Sequence, residues 1–141
     1  MSQFFQPAEA FYQWMKEACG SRRVFDVGAG AGHVAKGLSA AGVQAIPLDI
    51  HRHQSPAMQV TMADGTAFPY EKGSVVMLCR PCHGAFAQDV IDRAVECGVH
   101  SVLYVGLDRN VEDDLFDYYE KFSRESANVG EDGEAIWRMR L

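Results

Sequence analysis

Val24-Phe25-Asp26-Val27-Gly28-Ala29-Gly30-Ala31-Gly32-His33-Val34-Ala35 is the stretch that decides the fold. A β-branched and aromatic run ends on an acid, meets three glycines at alternate positions and passes into a helical pattern. Glycines so placed let a backbone approach a ligand closely and leave N–H groups free to donate, and the helix that follows offers its positive end to an anion. A bare strand-to-helix turn needs fewer glycines than this.

The alternation continues on both sides. Upstream, residues 7–19 open with Pro7 and place Ala10, Phe11, Trp14, Met15 and Ala18 at helical spacing, and Gly20 stops that helix. Residues 22–27 read as the first strand, 33–41 as a helix closed by Gly42, and 43–50 as a second strand. The next segment, HRHQSPAM at 51–58, is too short and polar for a full helix, and 59–63 reads as a third strand. Residues 64–72 read as loop or one helical turn. SVVMLCR at 74–80 is nearly continuously apolar, as in a parallel strand covered on both faces. An amphipathic helix at 85–97 turns Phe86, Val90, Ile91, Ala94 and Val95 inward, and 99–107 is another buried strand. Residues 111–124 read as an acidic helix carrying Leu115, Phe116, Tyr119 and Phe122. The alternation of Ile136, Arg138 and Arg140 against Ala135, Trp137, Met139 and Leu141 predicts one closing strand with a wet face.

Strand and helix in repeated succession give an open, mostly parallel α/β sheet with right-handed crossovers. Ligands of such sheets bind beyond the carboxyl ends of the strands, where strand order reverses. That draws attention to Asp26–Gly32, Asp49, Asp64 and Arg80–His83. Two ligands compete for the glycine turn. Gly30-Ala31-Gly32-His33-Val34-Ala35, with Asp49 nineteen residues after Gly30, satisfies the dinucleotide pattern of an NAD site. The other register starts at Asp26. A carboxylate just before the turn suits a ligand bearing an ammonium better than a pyrophosphate.

In that register the chain resembles the class I S-adenosylmethionine-dependent methyltransferases, over about residues 24–107. VFDVGAGAG looks like their glycine-rich first motif, Asp49 sits where they keep an acid that holds both ribose hydroxyls, and ADGTAFPY at 63–70 resembles their third-strand signature. The resemblance implies S-adenosyl-L-methionine as cofactor, held by Asp26, Gly28, Ala29, Gly30, Gly32, Asp49, Ile50, Asp64 and Gly65, with Asp64 at the adenine amine. It implies one α/β domain over 1–141, a Rossmann-like three-layer sandwich with a mostly parallel sheet and an antiparallel C-terminal strand. Residues 1–20 form an N-terminal helix, 21–107 the cofactor-binding core and 108–141 a C-terminal helix and strand, where the family usually has two strands.

The segment after the fourth strand, Cys79-Arg80-Pro81-Cys82-His83-Gly84, faces substrate in that family but lacks its polar-proline-aromatic pattern. His83 is the acid–base candidate, because imidazole accepts a proton near neutral pH. Arg80 beside a sulfonium is repulsive unless it pairs with an anion, so it is expected to recruit an anionic small-molecule acceptor. Cys-x-x-Cys-His also matches a c-type haem attachment pattern, but no export signal supports one, and Cys79 falls inside a strand. No metal site is expected, as no second paired-cysteine motif exists.

The chain has 141 residues, 48% of them hydrophobic, and its net charge is −6. This is the composition of a globular domain, and its acidity argues against generic nucleic-acid or anionic-membrane binding. No stretch nears the roughly 18 apolar residues that span a bilayer, and the start lacks a signal-peptide pattern. A reduced, cytoplasmic chain is expected. No insertion large enough for a substrate lid is visible. A second subunit or a macromolecular substrate would then complete the site, or the chain would bind cofactor as a non-catalytic partner subunit.

Overall fold

Strand β1 (Val24–Val27) sits near the middle of the sheet in the computed structural model, which describes residues 4–141. From β1 the chain passes through α2 (His33–Ala40) to β2 (Ala45–Asp49) and β3 (Thr61–Met62). It then returns to the other side of β1 as β4 (Val75–Cys79) and moves outward through α3 (Phe86–Cys97) to β5 (Ser101–Gly106). Helix α1 (Glu9–Cys19) precedes β1; α4 (Asp108–Leu115), a 3₁₀ turn over Phe116–Lys121, β6 (Ser123–Ser126) and β7 (Ala135–Arg140) follow β5. The strand order is β3-β2-β1-β4-β5-β7-β6, and only the pairings of β7 with β5 and β6 are antiparallel. Strand order therefore reverses between β1 and β4, and sheets of this kind carry their ligand crevice at the carboxyl ends beside such a reversal.

The layers follow from side-chain alternation along the strands. Val24, Val75, Met77, Leu103 and Val105 face one side and pack with Phe11, Met15 and Cys19 of α1 and Ala35 and Leu38 of α2. Phe25, Val27, Val76, Leu78, Val102 and Tyr104 face the other and pack with Ala87, Val90, Ile91 and Ala94 of α3 and Val111 and Leu115 of α4. Strands β4 and β5 are covered on both faces, which explains their unbroken apolar sequence. The α/β class, the parallel core and the antiparallel closing strand are as expected.

Four expectations are corrected. The helix predicted over 111–124 runs only to Leu115, because Phe116 adopts a left-handed backbone with φ 42°. Two strands, not one, follow residue 108, since Ser123–Ser126 pairs antiparallel with β7. The apolar residues at 115, 116, 119 and 122 fit a helical period, yet Phe116 is 55% exposed and Tyr119 36%. The face of β7 expected to be wet is so only at its end, where the Arg140 side chain is 68% exposed against 14% for Arg138. Ile136 is fully buried, and the Arg138 guanidinium lies 5.3 Å from the ring centre of Trp14 on α1. Val95, expected inward, is 39% exposed.

Candidate functional site

At the carboxyl end of β1 the chain is tied down first by backbone bonds. The N–H groups of Gly28 and Ala29 both donate to the Leu48 carbonyl, each at 2.9 Å, which locks the glycine turn to β2. Gly28, Gly30 and Gly32 take φ values of 75°, 59° and 85°, so each occupies backbone space that a side chain would strain. A Cβ on Gly32 would also sit 3.2 Å from Met58 and Val60 of the connection after β2. That connection is pinned to the turn by the Ala57 N–H donating to the Ala31 carbonyl at 2.8 Å. Helix α2 opens at Gly32 with no side-chain cap.

Three acids stand at three consecutive strand ends, and each is in a different state. Asp49 accepts the Gly30 N–H at one oxygen and the His51 N–H at the other, both at 2.8 Å. Its carboxylate shapes the turn and orients the β2 end. Asp64 accepts the N–H of Thr66 at 2.9 Å and its hydroxyl at 2.7 Å, and these bonds hold it below the usual carboxylate range. Asp26 is only 2% exposed, and no donor among the described residues reaches it. Burial, reinforced by the neighbouring negative charge of Asp49, raises its pKa from 3.8 to about 7. Gly65 seats the Asp64 turn on β1: a Cβ there would collide with Val27 and come within 3.1 Å of the Tyr70 hydroxyl. The Tyr70 hydroxyl itself donates to the Gly65 carbonyl at 2.7 Å. Ile50, which follows Asp49, is 59% exposed, and a separate groove is lined by His51, Arg52, His53, Gln59, Val60 and Met62. Asp26, Gly28, Ala29, Gly30, Gly32, Asp49, Ile50, Asp64 and Gly65 thus all gather at the ends of β1, β2 and β3.

Across the crevice lies the loop after β4. Arg80 has φ 44° and donates its N–H to the Val105 carbonyl at 2.7 Å. Its guanidinium pairs with Asp132 at 3.0 Å and with Glu134 at 3.4 Å, both from the segment leading into β7. Glu134 is fully buried. His83 places Nδ1 3.5 Å from Asp114 Oδ1, and the Tyr104 hydroxyl donates to Asp114 Oδ2 at 2.6 Å.

No family model and no curated protein matches the chain. Solved structures do. The chain superposes on the 23S rRNA methyltransferase ErmE with a TM-score of 0.66 at 14% identity, covering 98% of this chain and 69% of that one. It superposes on 1,6-didemethyltoxoflavin-N1-methyltransferase of Burkholderia thailandensis, solved with S-adenosylhomocysteine, with a TM-score of 0.64 at 10% identity, covering 94% and 76% of the two chains. Magnesium protoporphyrin IX methyltransferase of Synechocystis, solved with S-adenosylmethionine, gives a TM-score of 0.62 at 12% identity, covering 92% and 76%. This chain has the class I methyltransferase fold.

On the methyltransferase fold the residues singled out from sequence fall into two groups, one on each side of the reversal point. The cofactor candidates line the β1–β3 side, and Arg80 and His83 lie on the β4 side. The structure adds Tyr104, Asp114, Asp132 and Glu134, which the sequence reading missed. Asp114 is hidden in the run Glu112-Asp113-Asp114, which reads as a solvated helix face. Its spacing from Val111, one helical turn away, was the available signal, since both residues are buried. Tyr12 comes close to Gly37 of α2, where any Cβ would strike its ring. Its pKa is raised, first by burial and then by the neighbouring Cys79, and both residues pack against the same core layer. Trp14 instead packs on Arg138 of β7. Cys79 and Cys97 pack on opposite faces of the sheet, so they cannot converge on one metal ion. Among the described residues no helix is long and apolar enough to cross a membrane.

Proposed function

We propose that the chain binds S-adenosyl-L-methionine and transfers its methyl group to a small-molecule acceptor. One observation carries this reading: a buried carboxylate without a donor, Asp26, stands behind a glycine turn that a second carboxylate, Asp49, already shapes. A buried acid of this kind is costly unless a ligand compensates it. An ammonium in the crevice would do so, and the lone pairs that Asp49 retains suit a pair of ribose hydroxyls. Asp64, exposed and held ionised by Thr66, is available to an exocyclic amine. The three acids match the amino-acid tail, sugar and base of one ligand. A dinucleotide would instead bring its pyrophosphate towards Asp26 and Asp49, where the field is negative.

When bound, the sulfonium supplies an electrophilic methyl carbon. The work left to the chain is alignment and, for some acceptors, removal of a proton. Alignment of this kind is worth roughly 7–11 kcal/mol when the reacting atoms are held near attack distance. The acceptor enters beside the Arg80–His83 loop. Arg80 was expected to recruit an anion, but Asp132 and Glu134 already neutralise it, so the reading asks for no anionic acceptor. The acids on this side are largely paired, Asp108 with Arg124 and Asp132 and Glu134 with Arg80, and a surface paired in this way offers RNA phosphates less than a basic patch would, which favours a small molecule.

Calorimetric titration tests the reading. S-adenosylmethionine and S-adenosylhomocysteine should bind with a stoichiometry of one and NAD should not, and Asp49→Ala should remove both signals. Preferential binding of NAD overturns it.

A further inference from the structure

His83 and Asp114 meet across the acceptor side of the crevice. His83 belongs to the loop after β4, and its side chain is 77% exposed. Asp114 comes from α4, and its side chain is 3% exposed. Beneath them, Tyr104 of β5 donates its hydroxyl to Asp114 Oδ2 at 2.6 Å. Burial, and then the hydrogen bond to Asp114, push the Tyr104 phenol well above its ordinary range, so it remains a permanent donor. One oxygen of Asp114 is thereby occupied, and Oδ1, 3.5 Å from His83 Nδ1, is left for the imidazole. Distances of this length between catalytic partners commonly shorten when substrate binds.

We infer that Asp114, braced by Tyr104, is a positioning residue that holds His83 as the Nδ1–H tautomer and aims a bare Nε2 at the acceptor. A buried carboxylate facing one ring nitrogen fixes which nitrogen carries the proton, and it stabilises the imidazolium that forms when the other nitrogen accepts one. The inference rests on the methyl-transfer reading and narrows its substrate class: the acceptor carries a proton to be lost, on a hydroxyl or an N–H group, and is not a thioether or tertiary amine. As the acceptor's lone pair forms the bond to the methyl carbon, the bond from that carbon to sulfur breaks and its electron pair stays on sulfur. The acceptor's proton passes to Nε2, so the positive charge ends on the imidazolium beside Asp114. A protic acceptor with no base nearby would be left cationic.

The test uses the full chain labelled with ¹⁵N-histidine and needs no turnover. Long-range proton–nitrogen correlation should show the proton of neutral His83 on Nδ1 in the wild type. The preference should be lost in Asp114→Asn and weakened in Tyr104→Phe, with His33, His51, His53 and His100 unchanged as internal controls. Asparagine retains an acceptor for Tyr104, so the fold should persist. A His83 proton on Nε2 in the wild type, or no change in Asp114→Asn, overturns the inference. In assays of S-adenosylhomocysteine release with phenols, alcohols, primary amines, thioethers and tertiary amines, only the proton-bearing acceptors should turn over. For those, His83→Ala should lower kcat by about 10²-fold or more and Asp114→Asn by about tenfold, with KM little changed. Methylation restricted to thioethers or tertiary amines overturns the inference. Binding of S-adenosylmethionine to each variant is measured separately. Its absence from the wild type would sink the methyl-transfer reading while leaving the tautomer result standing.

Discussion

The two sides of the crevice handle charge in opposite ways. On the β1–β3 side, acids face backbone amides, one hydroxyl, or nothing: Asp49 and Asp64 hold N–H groups, and Asp26 is buried without a donor. On the β4–β5 side, charged groups face one another: Arg80 meets Asp132 and Glu134, and His83 meets Asp114. The first side keeps a buried carboxylate that no donor among the described residues reaches and that a cationic ligand would compensate. The second is electrostatically closed, apart from the outward edge of one imidazole. On the proposed reading, recognition of a charged cofactor and handling of an acceptor are separated by chemistry as well as by position.

The sharpest way to break this contrast is to open the closed side. Arg80→Gln leaves the fully buried Glu134 without its cation, and removal of one partner from a buried pair costs about 3–5 kcal/mol. Thermal or denaturant unfolding should show that loss, and Glu134→Gln in the same chain should restore most of it. A variant of unchanged stability would mean that the pair is solvated and that Arg80 is available to substrates after all.

On the open side the sign reverses, because here the charge itself is the liability. Asp26 has a pKa of about 7 in the fold against 3.8 ordinarily. Between about pH 4 and pH 7 the folded chain therefore keeps a proton that the unfolded chain has released. Stability falls as pH rises through that window, and the penalty is fully present above it. Asp26→Asn should stabilise the chain at pH 8 by on the order of 2–4 kcal/mol and have little effect at pH 4. The same variant should lose affinity for S-adenosylmethionine by tenfold or more, as a charge-assisted partner is removed. Wild-type affinity should also weaken below pH 7, with proton release on binding visible as a dependence of the calorimetric heat on the buffer. Equal melting curves for variant and wild type at pH 8 would show that Asp26 is not strained.

The open side was legible in the sequence, and the closed side was not. Asp26, Asp49 and Asp64 lie at or just past the carboxyl ends of β1, β2 and β3, so the local alternation of strands and turns sufficed to place them. Arg80 and Glu134 are 54 residues apart and meet only because β7 inserts antiparallel beside β5. No local pattern encodes that meeting. Strand β6 failed for a different reason: the apolar spacing of Leu115, Tyr119 and Phe122 is helical, and a positive φ at Phe116 breaks the helix without any glycine or proline to announce it.

A smaller effect tests how the third strand end is held. Gly65→Ala would press a methyl group into Val27 and within 3.1 Å of the Tyr70 hydroxyl. Overpacking of this kind costs about 1–3 kcal/mol. Because the displaced segment carries Asp64, cofactor affinity should fall along with the melting temperature. If stability falls while affinity holds, Asp64 is not part of the ligand site.

The smallest effect belongs to Asp64 itself and separates its two duties. Asp64→Asn retains an oxygen for the Thr66 N–H and hydroxyl, so the turn and the melting temperature should be unchanged. What it loses is negative charge at an exposed position, where water competes for any ligand amine and one hydrogen bond nets little. Affinity for S-adenosylmethionine should drop by less than about tenfold, well short of the loss at Asp26. A drop as large as that of Asp26→Asn would mean that the ligand buries Asp64 on binding. The open side would then close over its ligand at the β3 end, by movement of the residue 50–60 connection, and would not be a preformed cradle.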